Sequence, residues 1–85
     1  MSYDVVIDPK VAEYLRKLDK ATSKRILEGL WKLKEKPRIF GKHLVGINLW
    51  VLRVGDYRIL YEIIEKDKKV RIFFIGHRRN IYRKL

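Results

Sequence analysis

The sequence predicts an α+β domain in the order β-α-α-β-β-β-α, a helical hairpin packed on one face of a small, mainly antiparallel sheet. Apolar residues recur at helical spacing from Val11 to Leu33 and are interrupted once, at Asp19-Lys20. From Leu49 to Gly76 the pattern changes to runs rich in β-branched and aromatic residues, broken at Gly55-Asp56 and Asp67-Lys68. The 85 residues, 1–85, are read as one domain, because a chain this short buries only about 60–65% of its unfolded surface and has no room for a second core.

Tyr3 to Ile7 is short, β-branched and closed by Asp8-Pro9, which reads as a strand running into a helix. Asp8 suits the cap, and Pro9 suits a first turn whose N–H has no intrahelical partner. Val11, Leu15 and Leu18, with Tyr14 beside them, give the first helix its apolar face. Ala21 to Glu35 forms the second, with Ile26, Leu30 and Leu33 on a stripe widened by Leu27 and Trp31. Pro37 stops it. Arg38 to Ile47 loses periodicity around Gly41 and Gly46 and reads as a basic loop carrying Lys42 and His43. Leu49 to Val54, Tyr57 to Glu65 and Val70 to Gly76 are three strands, and Arg78 to Leu85 is a short C-terminal helix or tail.

Lys and Arg total 21 against 10 Asp and Glu, a net charge of +11, which selects a polyanion or an acidic protein as partner. Cysteine is absent, so disulfides and thiolate metal sites are ruled out, and no Asp, Glu and His spacing resembles a metal site. No metal or other cofactor is expected. No apolar window approaches the roughly 20 residues of a membrane span, and the N-terminus does not resemble a secretory signal. A cytoplasmic protein without membrane attachment is the expectation.

Side chains alternate along a strand, so each run divides into two faces. Trp50/Leu52/Val54, Tyr57/Ile59/Tyr61/Ile63 and Val70/Ile72/Phe74/Gly76 are the apolar sets expected to meet the helices, and Trp31, Trp50, Tyr57 and Tyr61 are expected core aromatics. A two-residue turn at Gly55-Asp56 sets Val54 opposite Tyr57 and therefore Arg53 opposite Arg58. Like charges facing each other destabilise a sheet, which points to an anion at this position. A second turn centred on Asp67-Lys68 pairs Glu65 with Val70 and Ile63 with Ile72, and the same register sets Arg58 opposite His77. The expected row is Arg53, Arg58, His77. Glu62, two steps beyond Leu60, is a structural alternative as an ion-pair partner for Arg58.

Two guanidiniums offer forked donors for phosphate oxygens, and an imidazole titrates near neutrality. Arg78 and Tyr82 are four apart and share a face if the tail is helical. His77 and Tyr82 are the candidate proton carriers, while Arg58 and Arg78 carry charge to the phosphate. Arg53, Lys42 and Arg79 are further candidate phosphate contacts. Lys24, Arg25, Lys32, Lys34 and Lys36 read first as a solvated helix face.

Leu44-Val45-Gly46, the run Leu49 to Tyr61 with its Gly55-Asp56-Tyr57-Arg58 turn, and the terminal Gly76-His77-Arg78-Arg79-Asn80-Ile81-Tyr82 resemble the RelE/ParE toxin superfamily. The element order agrees over nearly the whole chain. The resemblance implies the RelE-like fold and a toxin of a type II toxin–antitoxin system, in the RelE branch an mRNA interferase. Such an enzyme is a metal-independent endoribonuclease that cleaves mRNA in the ribosomal A site and inhibits translation. A small acidic, RelB-like antitoxin in a toxin–antitoxin hetero-oligomer, the ribosome and mRNA are the implied partners. By position, Arg58 resembles the arginine at the scissile phosphate, Arg78 the arginine that stabilises the transition state, and Tyr82 the C-terminal tyrosine used for stacking or proton transfer. Arg53 matches one of two strand lysines, and Val51 stands where the other is expected. The ParE branch, which inhibits DNA gyrase without cutting RNA, shares the fold and is the alternative, and a plain nucleic-acid-binding module is the third reading.

Overall fold

The computed structural model describes residues 2–78. Its elements in chain order are β1 (Asp4–Ile7), α1 (Pro9–Lys17), α2 (Lys20–Glu35), α3 (Pro37–Phe40), β2 (Lys42–His43), β3 (Trp50–Val54), β4 (Tyr57–Ile64), a 3-10 turn (Glu65–Asp67) and β5 (Lys69–His77). The sheet runs β1-β5-β4-β3-β2, with β1 parallel to β5 and the other pairs antiparallel. The helical hairpin and the α+β layering follow the sequence pattern. Residues 79–85 of the expected C-terminal helix or tail, Arg79 and Tyr82 among them, lie outside the described residues.

Both helices form where their apolar stripes find the sheet. Val11 and Leu15 from α1 and Ile26, Leu30 and Leu33 from α2 pack with Leu52, Ile59, Tyr61, Ile63, Val70, Ile72 and Ile75. Asp19 caps α2, its carboxylate accepting from the Thr22 N–H at 3.0 Å, and this bond holds the carboxyl below its ordinary range. Asp8 behaves differently from expectation. It makes no side-chain cap on α1, because its carboxylate takes two hydrogen bonds from Arg71 on β5, at 2.7 and 3.0 Å.

The segment read as an irregular loop contains two short elements, α3 and β2. Pro37 ends α2 and begins α3, and the carbonyl of Pro37 accepts the buried hydroxyl of Tyr61 at 2.6 Å. Gly41 allows this contact, since a Cβ there would lie 1.6 Å from the Tyr61 oxygen. The chain then pairs Lys42 with Val51 and His43 with Trp50, and the His43 and Trp50 rings stack at 4.3 Å.

The β4–β5 register differs from the expected one for two reasons. The connection is a 3-10 turn closed by Lys68 in the left-handed region at φ 52°, so Ile63 faces Val70 where Ile72 was expected. A bulge between Leu60 and Tyr61 of the β4 pairing then leaves Phe73 as an extra residue in β5. Beyond it the faces exchange, and Ile75 enters the core where Phe74 was expected. Trp31 is another correction. It is 64% exposed and lies under the Lys34 ammonium, because α2 turns its Leu27–Trp31 side past the edge of the sheet.

Candidate functional site

The β3–β4 hairpin forms as its sequence dictates. Val54 pairs with Tyr57 and Arg53 with Arg58. Gly55 has φ 58°, while Asp56 stays at negative φ, the pattern of a type II′ turn with glycine first. One step from the turn, Arg53 and Arg58 form the pair without mutual backbone hydrogen bonds, in which opposing side chains stand closest.

The two arginines then diverge. Arg53 is exposed. Arg58 is 4% exposed, and its Nη1 donates to the Gly55 carbonyl at 3.1 Å and to that of Tyr57 at 3.0 Å. The turn thus holds the guanidinium by carbonyl dipoles, and no carboxylate among the described residues pairs with it. Arg58 Nε is buried with no hydrogen-bond partner among the described residues. A buried cation without an anion is destabilising, and among the described residues it is the two carbonyl dipoles that offset this one.

Neighbouring rows complete the face. Lys42, Val51, Leu60 and Phe74 form one row, and Arg53, Arg58 and Gly76 the next. Lys42, exposed on β2, therefore lies on the same face as both arginines. Gly76 adds no side chain beside Arg58, and the Phe74 ring lies over it, 3.3 Å from where a Cβ would stand. The backbone N–H of Arg78 donates to the Asp56 carbonyl at 2.7 Å, which places exposed Arg78 beside the turn.

His77 is not in the arginine row. The bulge sets it opposite Tyr57, on the helix side of the sheet, with the two rings edge to face at 5.7 Å. The Tyr14 hydroxyl is close enough to Tyr57 to feel it, and burial followed by that neighbour raises its pKa. Glu62 also departs from expectation. It pairs with Arg71 at 3.3 Å, because Arg71 is its direct cross-strand partner, and so it does not neutralise Arg58.

Sequence reading missed a polar network at the end of β4 opposite the arginine pair. Tyr3, Arg38, Glu65 and Lys68 form a network, with Arg38 reaching the Tyr3 hydroxyl at 2.9 Å and Glu65 at 3.0 Å, and Lys68 also paired with Glu65. Glu65 and Lys68 are three apart, but Tyr3 and Arg38 reach them from distant parts of the chain, so no spacing signals the network as a whole. The bulge had one signal, the consecutive apolar run Ile72-Phe73-Phe74-Ile75, which does not alternate and leaves the phase of the strand undefined.

The family model for the ParE toxin of type II toxin–antitoxin systems, parDE, matches residues 5–82. Among solved structures, a chain of the archaeal RelE–RelB complex from Pyrococcus horikoshii is 32% identical, with 94% of this chain and 99% of that chain covered and a TM-score of 0.78. A chain of the RelBE2 toxin–antitoxin complex from Mycobacterium tuberculosis is 26% identical, with 91% and 99% covered and a TM-score of 0.82. A variant of the Escherichia coli toxin RelE in the free state is 25% identical, with 96% and 90% covered and a TM-score of 0.81. No curated protein matches the chain. Fold and cationic hairpin together define a RelE-like toxin of the RelE/ParE superfamily. The chain belongs to the ParE toxin family of type II toxin–antitoxin systems.

Proposed function

We propose that this toxin is a ribosome-dependent endoribonuclease that cleaves mRNA in the A site and so inhibits translation. The observation that carries the reading is the Arg53–Arg58 pair, with one guanidinium buried and lacking a counter-anion among the described residues. A scissile phosphate supplies that anion. Arg58 and Arg53 hold its non-bridging oxygens while the ribose 2′-OH attacks phosphorus. The P–O5′ bond breaks, giving a 2′,3′-cyclic phosphate and a 5′-hydroxyl. Arg78, tied to the turn through Asp56, offsets the charge gained by the phosphorane. Lys42 and Arg79 extend the phosphate contacts.

One proton must leave the 2′-oxygen and one must reach the 5′-oxygen. Guanidinium holds its proton too tightly to act as the base, Val51 supplies nothing, and His77 stands on the other face. Tyr82 and groups of the ribosome are the remaining carriers. In this reading the toxin works in the cytoplasm. Its charge of +11, the exposed Trp31 and Leu27, and the open edge of β1 suit an acidic antitoxin in a hetero-oligomer. The relatives from P. horikoshii and M. tuberculosis are themselves chains of toxin–antitoxin complexes.

The test is to add the protein to translating ribosomes and map the message ends. Cuts within the A-site codon are expected, and intact message at saturating toxin overturns the reading. A second reading, inhibition of DNA gyrase, is favoured by the ParE family match and by the absence, among the described residues, of an ordinary base beside Arg58. It predicts blocked supercoiling with intact message.

A further inference from the structure

A groove of about 370 Å³ separates α2 from the outer edge of β3, lined by Arg25, Glu28, Lys32, Phe40, Arg53 and Gly55 among others. It is continuous with the arginine site, because Gly55 belongs to both. Arg58 grips the Gly55 carbonyl from one side. On the other, the Arg25 guanidinium lies 3.4 Å from where a Gly55 Cβ would stand. Among the described residues neither Arg25, Lys32 nor Arg53 has an ion-pair partner. The edge itself is open, since β2 pairs only with Trp50 and Val51. Ladder alternation turns the Arg53 N–H, unused by β4, outward towards this edge. At the far end Phe40 is 46% exposed, with the Lys32 ammonium 5.7 Å from its ring centroid.

We infer that this groove binds the phosphodiester backbone of single-stranded RNA flanking the cleaved nucleotide, with Arg25 as a phosphate contact and Phe40 as a base-stacking platform. Unpaired cations in line, an outward backbone donor and an exposed ring beside a cation are the elements that hold a single strand without reading its sequence. A strand crossing the Gly55 turn passes from Arg58 and Arg53 to Arg25 and then to Lys32 and Phe40. The inference rests on the RNA-cleaving reading for its ligand, and its test is independent of cleavage.

The test measures binding of the intact protein to a trinucleotide and to an RNA roughly nine nucleotides long, both with 2′-deoxy sugars at the cleavable position, by fluorescence anisotropy across a salt series. The wild type should bind the longer strand more tightly. Arg25→Glu should remove that gain, lower the salt slope for the longer strand by about one or more, and leave trinucleotide binding unchanged. Phe40→Ala should reduce the gain without changing the salt slope. Circular dichroism and thermal melting of each variant establish that it is folded. An undiminished gain in Arg25→Glu overturns the inference. So does a loss confined to binding of a poly-glutamate peptide, which would make the groove a protein-docking surface. Length-dependent binding lost in Arg25→Glu, together with message left intact on ribosomes by the wild type, would support the groove and overturn the cleavage reading.

Discussion

The backbone N–H of Arg78 donates to the carbonyl of Asp56 at 2.7 Å, tying the end of β5 to the turn that carries Arg58. The adjacent carbonyl, that of Gly55, accepts from Arg58 Nη1 at 3.1 Å. Successive turn carbonyls therefore organise two arginines, one through its side chain and one through its backbone, and the hairpin geometry sets where their positive charge stands.

Arg58→Ala should abolish growth arrest and lower message cleavage by roughly 10²–10³, the size of losing one preorganised donor to a transition-state oxyanion. Arg58→Lys should recover little, because one ammonium does not reproduce a planar fork that is held by two carbonyls and still has donors left for phosphate oxygens. Single-turnover cleavage on programmed ribosomes checks this. The Arg58→Ala protein should remain folded by circular dichroism, since removing the side chain also removes a buried unpaired charge.

His77→Gln should leave the cleavage rate within a few-fold of wild type and the shape of the pH–rate profile unchanged. The reason is position, since the ring stands edge to face with Tyr57 on the helix side. A rate that collapses in a variant still folded by circular dichroism would return His77 to the chemistry.

Gly55→Ala should destabilise the fold by about 1–2 kcal/mol, because φ of 58° places an L side chain in the left-handed region. Urea midpoints measure the loss. The same variant should lower cleavage, as the strained turn relaxes and its carbonyl releases Arg58.

Much of this was legible from sequence where local chemistry sets the geometry. Gly55-Asp56 defines a two-residue turn, and that turn alone sets Arg53 opposite Arg58. Pro9 and Pro37 mark helix boundaries because proline acts within a few residues, and Asp19-Lys20 shows as the break between the two helices. What failed depends on long-range competition. Asp8 has the chemistry of a cap, yet Arg71, 63 residues away in the chain, takes its carboxylate. The position of His77 turns on a single extra residue, Phe73, in a strand whose consecutive apolar side chains suit either face. Trp31 fits the α2 stripe by spacing, but whether a stripe is covered depends on where the sheet ends.

Acid should weaken the fold through Glu65. Lys68 above all, then Tyr3 and Arg38, holds its carboxyl down to about 2, against an ordinary value of 4.5. The folded value is the lower one, so the contribution is present above pH 4.5 and is lost as pH falls from there towards 2. Asp19, depressed by Thr22, loses its contribution in the same direction. Thermal melting between pH 5 and 2, on wild type and Glu65→Gln, should show a shallower acid decline in the variant. Because Glu65 is largely solvated, the difference should be modest and should shrink in high salt.

The Tyr61 hydroxyl gives the most direct test of how the helical layer is joined to the cationic face. Tyr61 is fully buried, its hydroxyl donates to the Pro37 carbonyl at 2.6 Å, and burial pushes its pKa upward. That bond fixes α3, which leads straight into Lys42 on β2. Tyr61→Phe keeps the ring but leaves the carbonyl without its donor, and should destabilise the protein by about 1–3 kcal/mol. Gly41→Ala should do more, because its Cβ would stand 1.6 Å from the same oxygen and must displace either the ring or the segment. In the double variant Tyr61→Phe/Gly41→Ala the clash is reduced but not removed, since the ring carbon beneath the oxygen is itself only 2.6 Å from that Cβ. Chemical denaturation of the four proteins should therefore give non-additive losses, with the double variant less destabilised than the sum of the single ones. Additive losses would mean that Pro37 and Gly41 are not held by this hydroxyl.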